Sequence, residues 1–336
     1  MRLAALTAGE LWAKVAPMAS RIAVQVLDTA PGPRFAATGV PALAAALWLA
    51  VPLAGAPQPA PRTLAFERGG AIWVAAADGS GAVKLVEGVD PCIAPDGRRI
   101  AYTKDTSQAN GVRRHIAVVD VGTRTSRVLA SVPSDNAFGP VWSPDGTRLL
   151  VNVLANGGWN LGLVNVDDTS FGYICKTGPA GRTCWSAAWA PDGNSVFCQD
   201  LESLSRISLE GKELWKASFA KLFPTGGLNS GARISPSPDG RTLLVDVDMD
   251  EETTIQDWDG PPPAVFLVDL SAKTSRRLSP KGLFAWEPQW LDAVNFLCIV
   301  QRQEDKEPSV VRMPLSGGPP TVLVRNARTP TVSPTP

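Results

Sequence analysis

Histidine is almost missing from this chain: His115 is the one copy in 336 residues. A metal centre built on several imidazoles is therefore excluded, and any scheme that needs a histidine base has a single candidate. Charge is sparse and balanced, with 32 basic and 32 acidic side chains making up 19% of the residues. No surplus of lysine and arginine is available to seek phosphates, so nucleic acid is not an expected partner. Cysteine is down to five copies, an odd number, so at least one thiol is free or pairs between molecules. Long apolar runs are scarce as well. The segment at 41–51 (PALAAALWLAV) is short of the roughly 20 residues that a membrane-crossing helix needs, and it contains a proline.

What is plentiful is glycine and proline, 30 of each, in a chain that is still 44% hydrophobic. That composition can bury a large core, and turn residues interleaved with short apolar runs predict many short strands. The N-terminal stretch reads differently. No charged residue occurs from Phe35 to Pro61; Arg34 stands before the apolar segment, and Ala54-Gly55-Ala56 follows it. A basic flank, a short apolar region and an A-x-A pattern describe an export signal, so residues 1–56 are expected to direct the chain out of the cytoplasm. Pro57 is a poor context for cleavage, which leaves residues 41–56 open to retention as a membrane tether. A Pro-rich linker at 57–62 follows.

The dominant signal is an internal repeat. Ala94-Pro95-Asp96-Gly97, Ser143-Pro144-Asp145-Gly146, Ala190-Pro191-Asp192-Gly193 and Ser237-Pro238-Asp239-Gly240 are copies of one turn, and Trp290-Leu291-Asp292-Ala293 is a degenerate fifth. The five aspartates are 49, 47, 47 and 53 residues apart. Proline presets φ, aspartate bonds its own backbone and glycine accepts positive φ, so each copy joins two antiparallel strands. Four residues after each aspartate stand Ile100, Leu149, Val196, Leu243 and Phe296; two further on stand Tyr102, Val151, Cys198, Val245 and Cys298. Apolar residues with period two mark the buried face of a second strand, which makes Cys198 and Cys298 core thiols. Cys175 and Cys184 flank a turn-like loop and form the candidate disulfide pair.

Two more strands follow in each copy, and four short strands per unit of about 47 residues describe a propeller blade. Full blades are expected near 89–131, 138–178, 185–218, 231–279 and 285–325. Residues 63–88 supply a second, third and fourth strand, with Leu64 and Phe66 in the core positions, while 329–334 match a first strand alone. The expectation is an all-β domain over 63–336. It is a six-bladed β-propeller of four-stranded antiparallel blades, closed by strand exchange between the N- and C-terminal segments.

The x-Pro-x-Trp-Ser-Pro-Asp-Gly pattern at 139–146, repeated in weaker form across 63–334, resembles the TolB-type propeller repeat. The resemblance implies a bacterial, often periplasmic protein that holds partners on a propeller face. The family's namesake carries an α/β domain ahead of its propeller, whereas residues 1–62 here are mostly the export-like stretch, so the resemblance covers the propeller alone. Related propellers also occur joined to prolyl-peptidase-like hydrolase domains; none follows within this sequence, which ends at Pro336.

Chemistry is hard to find. Asp96, Asp145, Asp192 and Asp239 sit where their turns need them, so no metal role is assigned to them. Ser143, Ser237 and Ser333 lack the Gly-x-Ser-x-Gly setting of an activated nucleophile. Asp246-x-Asp248-x-Asp250 with Asp257 departs from a calcium loop at its sixth and twelfth positions, and the first of these acids also continue the strand Leu243 to Val247, so a solvated acidic loop is expected instead. No catalytic set, cofactor or metal is assigned, and the chain reads as a non-enzyme.

Loops after the second and fourth strands of a blade emerge at one end, and here they are the longer ones: 104–114, 154–160, 249–263 and 301–308. They gather Arg113, Arg114, Trp159, Trp185, Asp257, Trp258, Asp259 and Trp286 as a candidate binding face. The alternative is that these tryptophans pack between blades. The leading expectation is an exported scaffold for a protein or peptide; the alternative is a carbohydrate or cell-wall ligand stacked on tryptophan. A lyase or hydrolase ranks last.

Overall fold

The computed structural model describes residues 62–333, except Asn110, residues 177–182 and 228–230, and Thr253, Thr254, Gln256, Asp257 and Asp259. The export-like segment at 41–51 and residues 57–61 of the linker lie outside the described residues. Among the described residues, no helix is long and apolar enough to cross a membrane.

The chain enters with β1 (Thr63–Arg68), β2 (Ala71–Ala76) and β3 (Val83–Glu87), a sheet without an inner strand of its own. Blade 1 follows as β4 (Val89–Ile93), β5 (Arg99–Asp105), β6 (Arg114–Asp120) and β7 (Ser126–Val128). Blade 2 is β8 (Ala137–Trp142), β9 (Arg148–Ala155), β10 (Gly158–Asn165) and β11 (Phe171–Cys175). Blade 3 is β12 (Trp185–Trp189), β13 (Ser195–Gln199), β14 (Ser203–Ser208) and β15 (Glu213–Ser218). A helical turn, α1 (Phe219–Leu222), and the two-residue β16 (Gly226–Gly227) lead into blade 4. That blade comprises β17 (Ile234–Pro236), β18 (Thr242–Met249), β19 (Pro263–Asp269) and β20 (Thr274–Arg277), with β16 extending its edge beside β18. Blade 5 is β21 (Phe284–Trp290), β22 (Asn295–Gln301), β23 (Ser309–Pro314) and β24 (Thr321–Arg325). Finally β25 (Arg328–Val332) returns to pair with β1 in antiparallel register, Leu64 opposite Val332, and completes the closing blade.

The inner strands β25, β4, β8, β12, β17 and β21 each touch the next around a ring, and β21 touches β25 again. Six apolar cores fill the six seams between blades: Ala101 with Trp142 between blades 1 and 2, for instance, and Leu64 and Phe66 with Leu297 where the ring closes. All the residues at the two expected core positions, from Ile100 and Tyr102 to Phe296 and Cys298, are at most 1% exposed. Cys92, Cys198 and Cys298 are free, and Cys175 is disulfide-bonded to Cys184 with their Cα atoms 6.4 Å apart.

The repeat also builds the seams. Trp142 Nε1 donates to the Cys92 carbonyl of the preceding blade at 3.0 Å, Trp189 to Val141 at 3.0 Å, and Trp290 to Ser235 at 2.9 Å. On the first two indoles lies a guanidinium from the preceding blade, Arg99 at 4.7 Å and Arg148 at 5.0 Å from the ring centroid. These two arginines also donate to the next turn, at the Gly146 and Gly193 carbonyls. The turn glycines adopt φ of +69°, +68°, +67° and +69° at 97, 146, 193 and 240, a left-handed conformation that a Cβ disfavours.

Candidate functional site

The expected face forms two separate aromatic groups. At the seam of blades 1 and 2, the Arg114 guanidinium lies over Phe138 at 4.4 Å and Trp159 at 5.6 Å, and the two rings meet edge-on at 5.0 Å. Arg114 Nε also donates to Asn136 Oδ1 at 2.9 Å, which fixes the cation over its rings. Arg113 stands exposed beside it, while Arg114, Phe138 and Trp159 are half-buried. The second group belongs to blade 5: Trp286 is buried with Ile255, Phe284 and Ile299, and Trp258 covers it at 5.3 Å. Trp286 is thus a packing residue beneath Trp258, whose Nε1 donates to the Pro261 carbonyl at 3.1 Å. Trp185, half-buried at the start of β12, joins neither group. Asp257 and Asp259 lie outside the described residues.

The turn aspartates are committed to their turns. Asp145 Oδ1 accepts from the Ser143 hydroxyl at 2.5 Å and the Thr147 amide at 3.0 Å, and Asp239 does the same with Ser237 and Arg241. The Ser143 and Thr147 hydroxyls pull the Asp145 carboxyl down to about 2. Asp246 continues its strand as expected, on β18, but it is buried rather than solvated: it is 6% exposed and accepts from the Arg233 amide at 2.6 Å.

That burial leads to a group that strand patterning does not reveal. Asp90, Gly139, Ser186, Arg233, Glu287 and Thr329 occupy one equivalent position, near the start of the inner segment of each of the six blades. Five of them have positive φ, between +48° and +63°, at bulges in the inner strands. A bulge re-aims its side chain. Here the result is contact across the axis: Arg233 of blade 4 reaches Asp90 of blade 1, diametrically opposite, at 3.8 Å. About a quarter of each of these two side chains remains accessible, 29% and 26%. Asp90 is braced from β5 by the Thr103 hydroxyl at 3.0 Å, and Thr103 in turn accepts from the Gly139 amide at 3.0 Å.

The charges in this channel are unequal. Burial raises the Glu287 carboxyl; the Arg233 charge opposes that shift and the Asp90 charge adds to it. Glu67, on β1, is raised by burial and by Asp90, although the Asp90 amide donates to it. Burial pushes Asp246 up to about 7 against the Arg233 amide. Burial alone would lower Arg233, but the Glu287 and Asp90 carboxylates outweigh it and its pKa rises. Glu287 Oε2 is buried with no hydrogen-bond partner. Among the described residues, no three His, Cys, Asp or Glu side chains converge to hold a metal ion.

Solved structures place this architecture. The chain superposes on TolB from Acinetobacter baumannii with a TM-score of 0.59 at 17% identity, covering 82% of this chain and 67% of that one. The fold is that of the TolB-type propeller. A TolB-designated protein from Agrobacterium tumefaciens matches at TM-score 0.54 and 12% identity, over 79% of this chain and 89% of that one. A chain of the nidogen–laminin complex matches at 0.57 and 10%, over 82% and 99%. The tricorn protease shares the fold over 70% of this chain and 22% of its own, at 0.50 and 14%. The TolB-type fold therefore serves a protease as well as a complex between proteins, and it does not by itself assign an activity. No family model matches the sequence, and no curated protein does.

One cleft, of about 560 Å3, lies away from both the face and the channel. It opens between blades 3 and 4 at the opposite end, where Trp215 and Phe197 meet Arg206, Arg241 and Asp269. Its groups already serve the seam: Trp215 Nε1 donates to the Leu270 carbonyl at 3.0 Å and Arg206 pairs with Asp192 at 2.6 Å. The channel is better equipped to recognise a ligand, because its charges are not fully paired.

Proposed function

We propose that this chain is an exported protein- or peptide-binding propeller whose partner docks on the face bearing the loops after the second and fourth strands. The observation that supports it best is the Arg114 guanidinium held over the edge-on rings of Phe138 and Trp159, with Arg113 exposed alongside. Aromatic rings and arginine on rigid strands are the usual anchors of protein interfaces, and loops over a fixed scaffold carry most recognition. Trp258, which covers Trp286, supplies a second aromatic group to the same reading. Export runs through the segment at 41–51, with residues 41–56 serving as a tether where they are retained.

The test compares the wild-type chain with an Arg113→Glu/Trp159→Ala double variant, immobilised and exposed to envelope extract of the native host. A discrete protein is expected on the wild type and at least about tenfold less on the variant, a loss of about 1.4 kcal/mol or more, with equal melting temperatures. A glycan array is run in parallel. Saturable glycan binding that the double variant loses, with no protein retained, would replace this reading with the carbohydrate one.

A further inference from the structure

The channel end carries more carboxyl groups than cations. Four carboxyl groups act on one another or on Arg233 there: Glu67 from β1, Asp90 from β4, Asp246 from β18 and Glu287 from β21. Facing them are Arg233, Arg328 at the start of β25, the Cys92 thiol from β4 and the hydroxyls of Thr103 and Thr329. Arg233 serves several of the acids at once. It approaches Asp90 only at 3.8 Å, a length that leaves the pair loose, while Glu287 and Asp246 also act on it. Arg328 is exposed at the rim.

The independent sign of an unfilled place is Glu287. The Thr329 hydroxyl serves its carboxyl group, yet Oε2 is shut away from solvent and has no hydrogen-bond partner, although an ionised carboxylate accepts at two oxygens. Buried polar atoms are satisfied in nearly all proteins, so an orphan acceptor among like charges marks a position for a donor. Its backbone is at φ +50°, a conformation that costs energy in a non-glycine residue and concentrates at ligand-holding positions. Solvent reaches the neighbouring Asp90 and Arg233, so the place has an entrance.

We propose that this end of the channel binds a cationic nitrogen group of a peptide, a lysine ammonium or an arginine guanidinium, through Glu287 and Asp90. The inference rests on the peptide-binding reading and gives it a chemistry. A metal ion is disfavoured because the carboxylates are not convergent enough to ligate one, whereas an ammonium or guanidinium donates several hydrogen bonds over a wider spread. The cation competes with a proton for Glu287, whose affinity for protons is raised by burial and by the neighbouring Asp90 charge. Binding therefore tightens as pH rises.

The experiment titrates the full chain with capped Gly-Lys-Gly, Gly-Arg-Gly and Gly-Glu-Gly peptides, and with calcium, followed by calorimetry and NMR. A basic peptide is expected to bind at least about tenfold tighter than the acidic one, and more tightly near pH 7.5 than at acid pH, where Glu287 takes up a proton. Glu287→Gln and Asp90→Asn, each near-isosteric, are expected to weaken it about tenfold while melting at or above the wild-type temperature. Trp159→Ala is expected to leave it unchanged. Equal binding by Glu287→Gln and the wild type, equal binding of the acidic peptide, no binding of either basic peptide, or calcium displacing them would each overturn the proposal. Failure of the surface patch is a separate outcome: envelope-partner capture insensitive to Arg113→Glu/Trp159→Ala beside Glu287-dependent peptide binding removes the patch and keeps the channel.

Discussion

Asp246 holds a carboxyl group inside a strand, 6% exposed, on the amide of a residue whose guanidinium neutralises other acids. Burial pushes it up to about 7, against 3.8 for the free side chain. Between these values the folded chain binds a proton that the unfolded chain has released, so folding stability falls as pH rises through that window. The full shift is worth at most about 4 kcal/mol, lost by about pH 8. Asparagine keeps the acceptor for the Arg233 amide and removes the titration. Asp246→Asn is therefore expected to be about 2–4 kcal/mol more stable than the wild type near pH 8 and nearly equal near pH 4. Chemical denaturation at both pH values checks this, and a variant less stable than the wild type near pH 8 sinks the assignment. Asp145 runs the other way, held down by hydroxyl donors, but it is solvated and contributes little.

Strands carry the next level of argument, because each inner strand is both a seam and a channel wall. The indole bonds of Trp142, Trp189 and Trp290 to the preceding blade repeat one geometry. Trp189→Phe removes the donor to Val141 and most of the Arg148 stacking while keeping a ring, so a loss of about 1–2 kcal/mol is expected. Trp189→Ala opens a cavity in the seam of blades 2 and 3, and a loss of about 3–5 kcal/mol is expected. Urea denaturation of both variants orders the two effects; an exposed, non-structural indole would leave both near zero. This level also shows what was legible beforehand. The turns and the alternation at Ile100 and Tyr102 are local patterns with a direct mechanical cause, so they locate five full blades and the composite one. The aromatic face was legible only as a set of loops; which tryptophan is covered depends on neighbours brought in from other blades, as Trp258 covers Trp286. The channel group was not legible in period-two patterning, because a bulge breaks that period where Asp90 and Glu287 stand. Superimposing the repeats would have found it: Asp90, Arg233 and Glu287 fall on one column that should face a neighbouring strand, and three charges there need a reason.

At the scale of the whole molecule, the ring is held shut by one non-covalent strand pair. β25 contributes Thr329, Pro330 and Thr331 to the interior, and Thr331 Oγ1 accepts from the Ile93 amide of blade 1 at 3.3 Å. Arg62 ties the same closure from the other side, donating to the Ser333 carbonyl at 2.9 Å and the Leu291 carbonyl of blade 5 at 2.6 Å. A chain ended after Arg325 leaves β1 as an open edge whose Leu64, Ala65 and Phe66 are fully buried in the intact ring. Such an edge pairs with other chains, and the two seams that meet at β25 lose their shared wall. The truncated chain is therefore expected to melt more than about 10 °C lower and to self-associate. A synthetic peptide of residues 326–336, added in trans, is expected to restore the melting temperature and the monomer. The same peptide with Thr331→Pro loses the acceptor for Ile93 and is expected to fail. Calorimetry and sizing chromatography read both quantities, and a truncated chain that melts like the wild type would show that blade packing closes the ring without the strand exchange. The cation site supplies a second readout of the same closure, since β25 stands between β21 and β4, the strands that carry Glu287 and Asp90. Basic-peptide binding should vanish on truncation and return with the peptide, in proportion to the fraction of rings that the peptide closes.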